Sequence, residues 1–163
     1  MKGFTLFETL LAITIISMVS VTSMYILFLS LNLRDMTLAT TKTEESLRIF
    51  ERAFRQAALG AISVTKGTNS IFFRSSDECW SFLYDTVNKS VKYTKTVQVD
   101  CTPDPNPIIS FFPASTKVNS LSFSIIPIAT GGNLVGMSGT VESTLPLDTY
   151  QTSFSKSFVN LMD

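Results

Sequence analysis

The chain has 163 residues, with 13 basic and 13 acidic side chains, no histidine and two cysteines. A neutral chain lacks the broad basic surface expected of a nucleic-acid-binding protein. The absence of histidine excludes Ser-His-Asp and Cys-His catalysis and all histidine-containing zinc sites, and two thiols are too few for a four-cysteine zinc site. The composition therefore predicts neither an enzyme nor a protein with a metal or other cofactor.

Residues 4–33 form an apolar run long enough to cross a bilayer, since about 20 apolar residues span a hydrocarbon core roughly 30 Å thick. From Thr9 to Leu33 there is no charged residue, and no glycine or proline interrupts the run. The run predicts one continuous helix whose serine and threonine hydroxyls bond back to the backbone. A cleaved signal peptide fits poorly, because the apolar stretch is too long and no small-x-small cleavage site follows it.

Glu8 is the one acidic residue in this run. A carboxylate in hydrocarbon is costly, less so near the interface, and such a residue normally has a partner. A simple signal anchor explains the length of the run but not this acid. On the residues alone, two interpretations stay open: Glu8 is hydrated at the level of the lipid headgroups, or it pairs with another group.

The helical pattern continues through residues 34–61, which contain no proline and only Gly60 as a glycine. Apolar residues recur here at steps of three and four and form one stripe: Leu47, Phe50, Phe54, Ala57, Ala58 and Ala61. The charged residues Arg48, Glu51, Arg52 and Arg55 lie largely off this stripe. The stripe predicts that this half of the helix packs against the domain that follows, as a core seam rather than a cofactor site. A helix of about 55 residues is roughly 80 Å long.

The N-terminal sequence KGFTLFETLLA, from Lys2 to Ala12, resembles the leader of type IV prepilins and type II secretion pseudopilins. The shared features are a short basic leader ending in Gly3, a junction to Phe4, Glu8 as the fifth residue after that junction, and an apolar helix. The resemblance implies that a prepilin peptidase cleaves between Gly3 and Phe4 and methylates the new amine of Phe4. It also gives Glu8 a partner, which is the Phe4 amine of its own or a neighbouring subunit.

By the same resemblance, the chain is a structural subunit of a type IV pilus or a type II secretion-like pseudopilus. The implied partners are other pilin or pseudopilin subunits, the prepilin peptidase, the inner-membrane assembly platform and, before assembly, membrane lipid. The implied location is the inner membrane, crossed once with the C-terminal domain outside the cytoplasm, and then the filament. Ser17 and Tyr25 stand about where many major pilins carry glycine and proline, which favours a minor pilin or pseudopilin.

Three alternatives to this prediction stay open. The chain is a major pilin of a thin filament, a tip minor pilin whose C-terminal domain binds DNA or a surface, or a single-pass receptor with a fortuitous leader match.

The positive-inside rule favours the opposite topology, with the C-terminal domain in the cytoplasm. Arg34, Lys42, Arg48 and Arg52 follow the span, and only Lys2 and the amino terminus precede it. Interleaved acidic residues and a long following domain weaken this rule, so the leader motif decides the predicted orientation.

From Ile62 onward, short strands and turns replace the helical pattern. The predicted strands are residues 63–66, 70–74, 79–85, 90–99, 120–125, 134–143 and 150–161, and residues 100–107, with three prolines, form a loop. The clearest signal is the alternation of Leu121, Phe123 and Ile125 with serines, which is typical of a half-buried strand. The predicted fold is α+β and pilin-like, with leader 1–3, apolar helix 4–33, amphipathic helix 34–61, and an antiparallel β domain 62–163 packed on the helix.

Cys79 and Cys101 are the only cysteines. In an exported domain they predict one disulfide, which closes a loop of 23 residues and contributes about 3 kcal/mol. The alternative is a pair of free thiols in a reducing compartment. Asp100, Asp104 and Asn106 carry oxygen ligands suited to calcium, but their spacing matches no known loop, so they are predicted to form turns.

Lys89, Lys92 and Lys95 lie together with Tyr93 in one predicted strand and the turn before it. Basic and aromatic residues in this pattern suggest contact with nucleic acid. The balanced charge of the domain favours a solvated strand face instead, so no nucleic-acid partner is predicted.

Overall fold

The computed structural model describes residues 5–97, 101, 109–129, 131–144 and 149–160. Helix α1, Leu6–Leu59, has 54 residues. It ends directly before Gly60, whose amide donates a hydrogen bond of 3.2 Å to the carbonyl of Gln56. The chain divides between Leu38 and Ala39 into two compact units. The first unit holds the apolar part of α1, and the second holds the rest of α1 with all the strands.

The first sheet has five antiparallel strands in chain order: β1 (Ser63–Lys66), β2 (Ser70–Arg74), β3 (Cys79–Asp85), β4 (Ser90–Thr96) and β5 (Ile109–Ser110). The sequence predicted the bounds of the first three, because turn residues flank each of them. β4 ends at Thr96, short of the predicted residue 99, and residues 98–99 lie outside the described part. β5 was not predicted, since a pairing of two residues with Lys92 and Tyr93 leaves no periodic pattern.

The tight turn between β3 and β4 is organised by Asp85. Its carboxylate accepts hydrogen bonds from the amides of Val87 and Asn88 at 3.1 and 3.0 Å, so the side chain replaces a backbone acceptor in the turn. Lys89 has a positive φ of 49°, which lets the chain reverse into β4. The turn lies where the sequence predicted it.

The second sheet has three long antiparallel strands: β6 (Thr116–Pro127), β7 (Asn133–Thr144) and β8 (Thr149–Asn160). Leu121 and Phe123 are buried and Ile125 is half-buried, while the serines between them are exposed. This alternation confirms the predicted half-buried strand. Gly131 and Gly132 lie before β7 with φ values of 84° and 113°, a backbone conformation that glycine adopts at little cost.

The core lies where α1 packs against both sheets. Phe50 and Phe54 are fully buried, and the other residues of the predicted stripe are buried or half-buried. The ring centroid of Phe54 is 5.1 Å from that of Phe73 on β2 and 5.9 Å from that of Phe123 on β6. The α+β fold with antiparallel strands on a long helix is therefore confirmed, and the strands form two sheets.

The two sheets meet at a β-bulge in β6, between Val118 and Ser120. The Tyr84 hydroxyl, from β3, donates to the carbonyls of Val118 and Asn119, both at 2.9 Å. The Val118 amide donates to the carbonyl of Lys89 at 2.7 Å. Burial raises the pKa of Tyr84 above its ordinary value. The bulge thus exposes backbone groups that attach the second sheet to the β3–β4 hairpin.

The last described residue, Asn160, caps the C-terminal end of α1. Its side chain is fully buried, and its Nδ2 donates to the carbonyl of Ala58 and, at 2.8 Å, to the carbonyl of Ala61. Carbonyls at a helix C-terminus have no partner within the helix, so they need donors from elsewhere. The end of β8 supplies that donor, and the C-terminal strand is thereby tied to the helix.

Candidate functional site

The first turn of α1 is closed by Thr5 and Glu8. Oε2 of Glu8 accepts hydrogen bonds from the amide and the hydroxyl of Thr5, at 3.1 and 3.3 Å. In return, the Glu8 amide donates to the hydroxyl oxygen of Thr5 at 3.4 Å and to its carbonyl at 3.0 Å. This reciprocal arrangement is a capping box, in which two amides of the helix start receive side-chain acceptors.

The capping box gives Glu8 a role that the sequence interpretation missed. The sequence does contain the signature of a capping box, which is Thr5-x-x-Glu8 before an apolar run. The carboxylate also lies at the N-terminal end of α1, where the helix dipole favours a negative charge. Both effects stabilise an acid at this position before any second molecule is considered.

The predicted partner of Glu8 is not part of the described structure. Gly3 and Phe4, the predicted cleavage site and the predicted site of methylation, lie outside the described residues. Among the residues that are described, Glu8 forms no ion pair, and its side chain is exposed. The carboxylate caps its own helix and is accessible to an external cation.

The segment that follows Glu8 is apolar on every side. All large apolar residues from Leu6 to Leu33 are exposed. Helix α1 contains a stretch of 18 residues with a mean hydropathy of 2.1, none of which is buried, and this stretch is a candidate membrane span. Hydroxyl groups in this segment donate to carbonyls three or four residues earlier, as predicted: Thr14, Ser17, Ser20 and Thr22. Because these hydroxyls have backbone partners, they add little cost in hydrocarbon.

The predicted disulfide between Cys79 and Cys101 is formed, with 5.5 Å between the Cα atoms. It connects the start of β3 to the segment after β4. The predicted turn formers Asp100, Asp104 and Asn106 lie outside the described residues. In the part of the chain that is described, no cluster of three or more potential metal ligands occurs.

Lys89, Lys92 and Lys95 each have a partner within the domain. Lys92 forms an ion pair with Asp85 at 2.9 Å, and Lys95 forms one with Glu78 at 2.7 Å. Lys89 donates to the side-chain oxygen of Asn119 at 3.2 Å. These three cationic side chains are therefore engaged in contacts within the domain.

A small cavity of about 170 Å³ lies between the end of α1 and β3, with Gln56, Gly60 and Trp80 in its wall. Among the described residues that form its wall, Glu78 is the one with a charged side chain. Its carboxylate accepts a hydrogen bond from Nε1 of Trp80 at 3.3 Å and forms an ion pair with Lys95. The hydrogen bond from Lys95 lowers the pKa of Glu78. The carboxylate of Glu78 thus already has a cation and a hydrogen-bond donor within the domain.

Comparison of the chain with family models, curated proteins and solved structures gives no match.

Proposed function

We propose that this chain is a structural subunit of a filament of the type IV pilus or type II secretion pseudopilus class, most consistent with a minor pilin or pseudopilin. The observation that carries the proposal is an exposed apolar helix with one acid, Glu8, in its first turn, continuous with a helix that forms the core of an α+β domain. An exposed apolar helix of about 30 residues is far larger than the apolar patches of soluble monomers, and surfaces of this kind contact a membrane or another protein.

In this proposal the apolar helix has two successive environments. Before assembly, residues 4–33 lie in the inner membrane and hold the domain outside the cytoplasm. During assembly, the same surface leaves lipid and packs against the helices of other subunits, so its apolar area stays out of water at both stages. The disulfide supports an exported domain, since disulfides persist in oxidising compartments.

Glu8 determines whether a subunit can move from the membrane into the filament. Cleavage after Gly3 by a prepilin peptidase would create an amine on Phe4, and the Glu8 carboxylate at the same helix end is accessible to it. Inside a filament core of low dielectric, an unpaired carboxylate is costly, whereas a carboxylate paired with an amine is tolerated. A subunit enters the filament readily only when that pair forms.

The experiment is mass spectrometry of the protein purified from membranes and from sheared filaments of the producing cell. The expected mass lacks Met1 to Gly3 and carries one methyl group on Phe4. The variant Gly3→Arg should retain the leader and stay in the membrane, because a bulky side chain blocks entry of the junction into the protease. Gly3→Ala is the matched control and should be processed.

The result that contradicts the proposal is a full-length chain, with residues 1–3 retained, as the functional form. That outcome would favour a single-pass membrane receptor. If processing occurs, the amount of the chain in sheared filaments distinguishes a major subunit, which dominates them, from a minor one, which is scarce.

A further inference from the structure

The outer edge of β8 is long and carries unpaired backbone groups. β8 is the last strand of its sheet, and among the described residues it pairs with β7 alone, in one continuous register over twelve residues. Alternate residues of such a strand turn their amide and carbonyl groups away from the neighbouring strand, so about six residues present these groups at the edge. In the described part of the chain, no backbone hydrogen bond to another element involves residues 150–160.

The other sheet edges formed by described strands are protected in ways that β8 is not. β1 and β5 have only four and two residues, and β6 contains the bulge and is attached to the β3–β4 hairpin. Proteins shield an edge with short strands, bulges, prolines or charges. β8 contains no proline and one charged residue, Lys156, whose Nζ is 3.2 Å from Oε1 of Glu51. An edge of this kind is a template for one more strand.

The second half of α1 runs beside β8 in the same direction. Contacts follow the same order along both elements: Phe154 with Phe50, Lys156 with Glu51, and Phe158 with Phe54. Residues three and four positions from Glu51 are its neighbours on the helix surface. On the exposed side of α1 these are Arg48 and Arg55, and neither forms an ion pair with a described residue. A strand added to β8 therefore lies beside two arginines that the fold leaves unpaired.

We propose that the free edge of β8 binds an extended, acidic segment of another protein as an added strand. The backbone of β8 supplies hydrogen bonds that do not depend on the side chains of the segment. Since Lys156 and Glu51 neutralise each other, the neighbouring helix surface presents Arg48 and Arg55 against one acid, Glu44, about two turns before Glu51. This excess of positive charge selects acidic side chains on the face of the segment that is turned toward α1.

The opposite face of the added strand meets a different surface. Ser153, Ser155 and Ser157 are exposed, and they lie on the side of β8 away from α1, because Phe154 and Phe158 between them contact the helix. Short uncharged side chains accept small polar or β-branched residues next to them. The binding surface belongs to the C-terminal unit alone, so the inference goes beyond the filament function and does not depend on it.

The first test is hydrogen exchange of the full chain in detergent with a defined probe. The probe is a synthetic peptide of about ten residues, in which valine and threonine alternate and glutamate replaces two of the valines. At a peptide concentration about ten times the Kd, exchange of alternate amides within residues 150–160 should slow by about tenfold. The amides of β1, another exposed edge, should exchange as before. The same peptide methylated on all its backbone amides is the control and should protect nothing.

The second test is the charge preference, measured as the Kd of fluorescent peptides. Arg48→Glu/Arg55→Glu should weaken binding of the glutamate peptide by about tenfold and should bind a matched lysine peptide more tightly than the glutamate peptide. Arg52→Glu is the control and should bind as the wild type does. Arg52 is exposed as well, but it lies about 100° around the helix from Glu51. Misfolding does not produce a reversed preference.

The third test locates the peptide on the sheet by disulfide cross-linking. Ser155→Cys should cross-link to a glutamate peptide that carries one cysteine. Ser122→Cys is the matched control, because Ser122, Ser138 and Ser155 form one row across the three strands. Ser122 lies on β6, two strand spacings or about 10 Å from Ser155, and should not cross-link.

Each outcome of these tests decides for or against the inference. Protection of β8 amides together with a reversed charge preference supports it. Absence of binding, binding without protection of β8, or equal binding of the methylated peptide overturns it. Equal affinity for the glutamate and lysine peptides overturns the acidic partner. Ser155→Cys that links to itself without peptide indicates a second copy at this edge and overturns the inference as well. No readout involves leader cleavage or filaments, so failure of the inference and failure of the proposed function are distinguishable.

Discussion

At the scale of single residues, the C-terminal cap formed by Asn160 gives a direct prediction. Asn160→Ala removes the donors of two hydrogen bonds and leaves the carbonyls of Ala58 and Ala61 buried without them. The variant also removes the side-chain oxygen of Asn160, which has no hydrogen-bond partner among the described residues, and this offsets part of the loss. We expect the free energy of unfolding to fall by about 2 kcal/mol, measured by denaturation of the full chain in detergent.

The matched control for this cap is Ser155→Ala on the same strand. Ser155 is exposed, so its loss should change the free energy of unfolding by less than about 0.5 kcal/mol. Asn160→Asp should be more damaging than Asn160→Ala, because it places a carboxylate oxygen beside two carbonyl oxygens. Equal stability of Asn160→Ala and Ser155→Ala would contradict the capping role.

The carboxylate of Asp85 predicts a pH dependence of stability. Hydrogen bonds from the amide and the side chain of Asn88, and then one from Lys92, lower the pKa of Asp85 well below its ordinary value. A carboxyl group whose pKa is lowered by folding stabilises the folded protein at any pH above the pKa that the group has in the unfolded chain, about 4. This contribution is lost as the pH falls below that value. Asp85→Asn should therefore be less stable than the wild type at pH 7.

The same comparison at acidic pH provides the check. The difference in stability between the wild type and Asp85→Asn should narrow steadily as the pH is lowered from about 5 toward 2. Lys92→Met removes only the third contribution to the lowered pKa of Asp85, so its effect should have the same direction and be smaller. A difference between the wild type and Asp85→Asn that is independent of pH would contradict this account.

At the scale of secondary-structure elements, β7 depends on a glycine beside the bulge of β6. A Cβ on Gly139 would collide with the backbone carbonyl oxygen of Ser120 and would lie 3.1 Å from Cζ of Phe154. Backbone atoms paired in a sheet cannot move away easily. We expect Gly139→Ala to lower the free energy of unfolding by about 2 kcal/mol, although alanine ordinarily stabilises a chain relative to glycine.

Gly60→Ala is the control for this substitution. The nearest atom to a Cβ on Gly60 would be the carbonyl oxygen of Gln56, at an ordinary contact distance of 3.5 Å. The change should be neutral or slightly stabilising by thermal denaturation. If both alanine variants behave alike, steric contact at Gly139 is not what requires the glycine.

Most of the elements could be predicted from the sequence because their signals are local. The stripe of α1 and the alternation of Leu121 and Phe123 in β6 each follow from one-sided burial against the core. The division of the strands into two sheets could not be predicted, since it depends on which strand pairs with which across the domain. Asn160 is separated from Ala58 by 102 positions in the chain, and no local pattern identifies it as a helix cap.

At the scale of the whole molecule, the N-terminal helix end was only partly predictable. The sequence identified Glu8 as unusual because an acid at the start of an apolar run requires an explanation. It did not identify the hydrogen bonds with Thr5, although the spacing of the capping box was visible. Glu8 therefore has two candidate roles, helix capping and pairing with a neighbouring amine, and they need to be separated.

Glu8→Gln separates these two roles, because glutamine at this position of a capping box still accepts from the Thr5 amide but carries no charge. We expect Glu8→Gln to insert in the membrane and to be processed, yet to enter filaments at least about tenfold less than the wild type, since an uncharged partner cannot neutralise an amine in a low-dielectric core. Thr5→Ala removes the hydroxyl of the cap and keeps the carboxylate, so it should assemble nearly normally. The measurement is the ratio of protein in sheared filaments to protein in membranes. If Thr5→Ala is the defective variant and Glu8→Gln assembles, the acid acts by starting the helix, and the charge-pairing account of assembly is wrong.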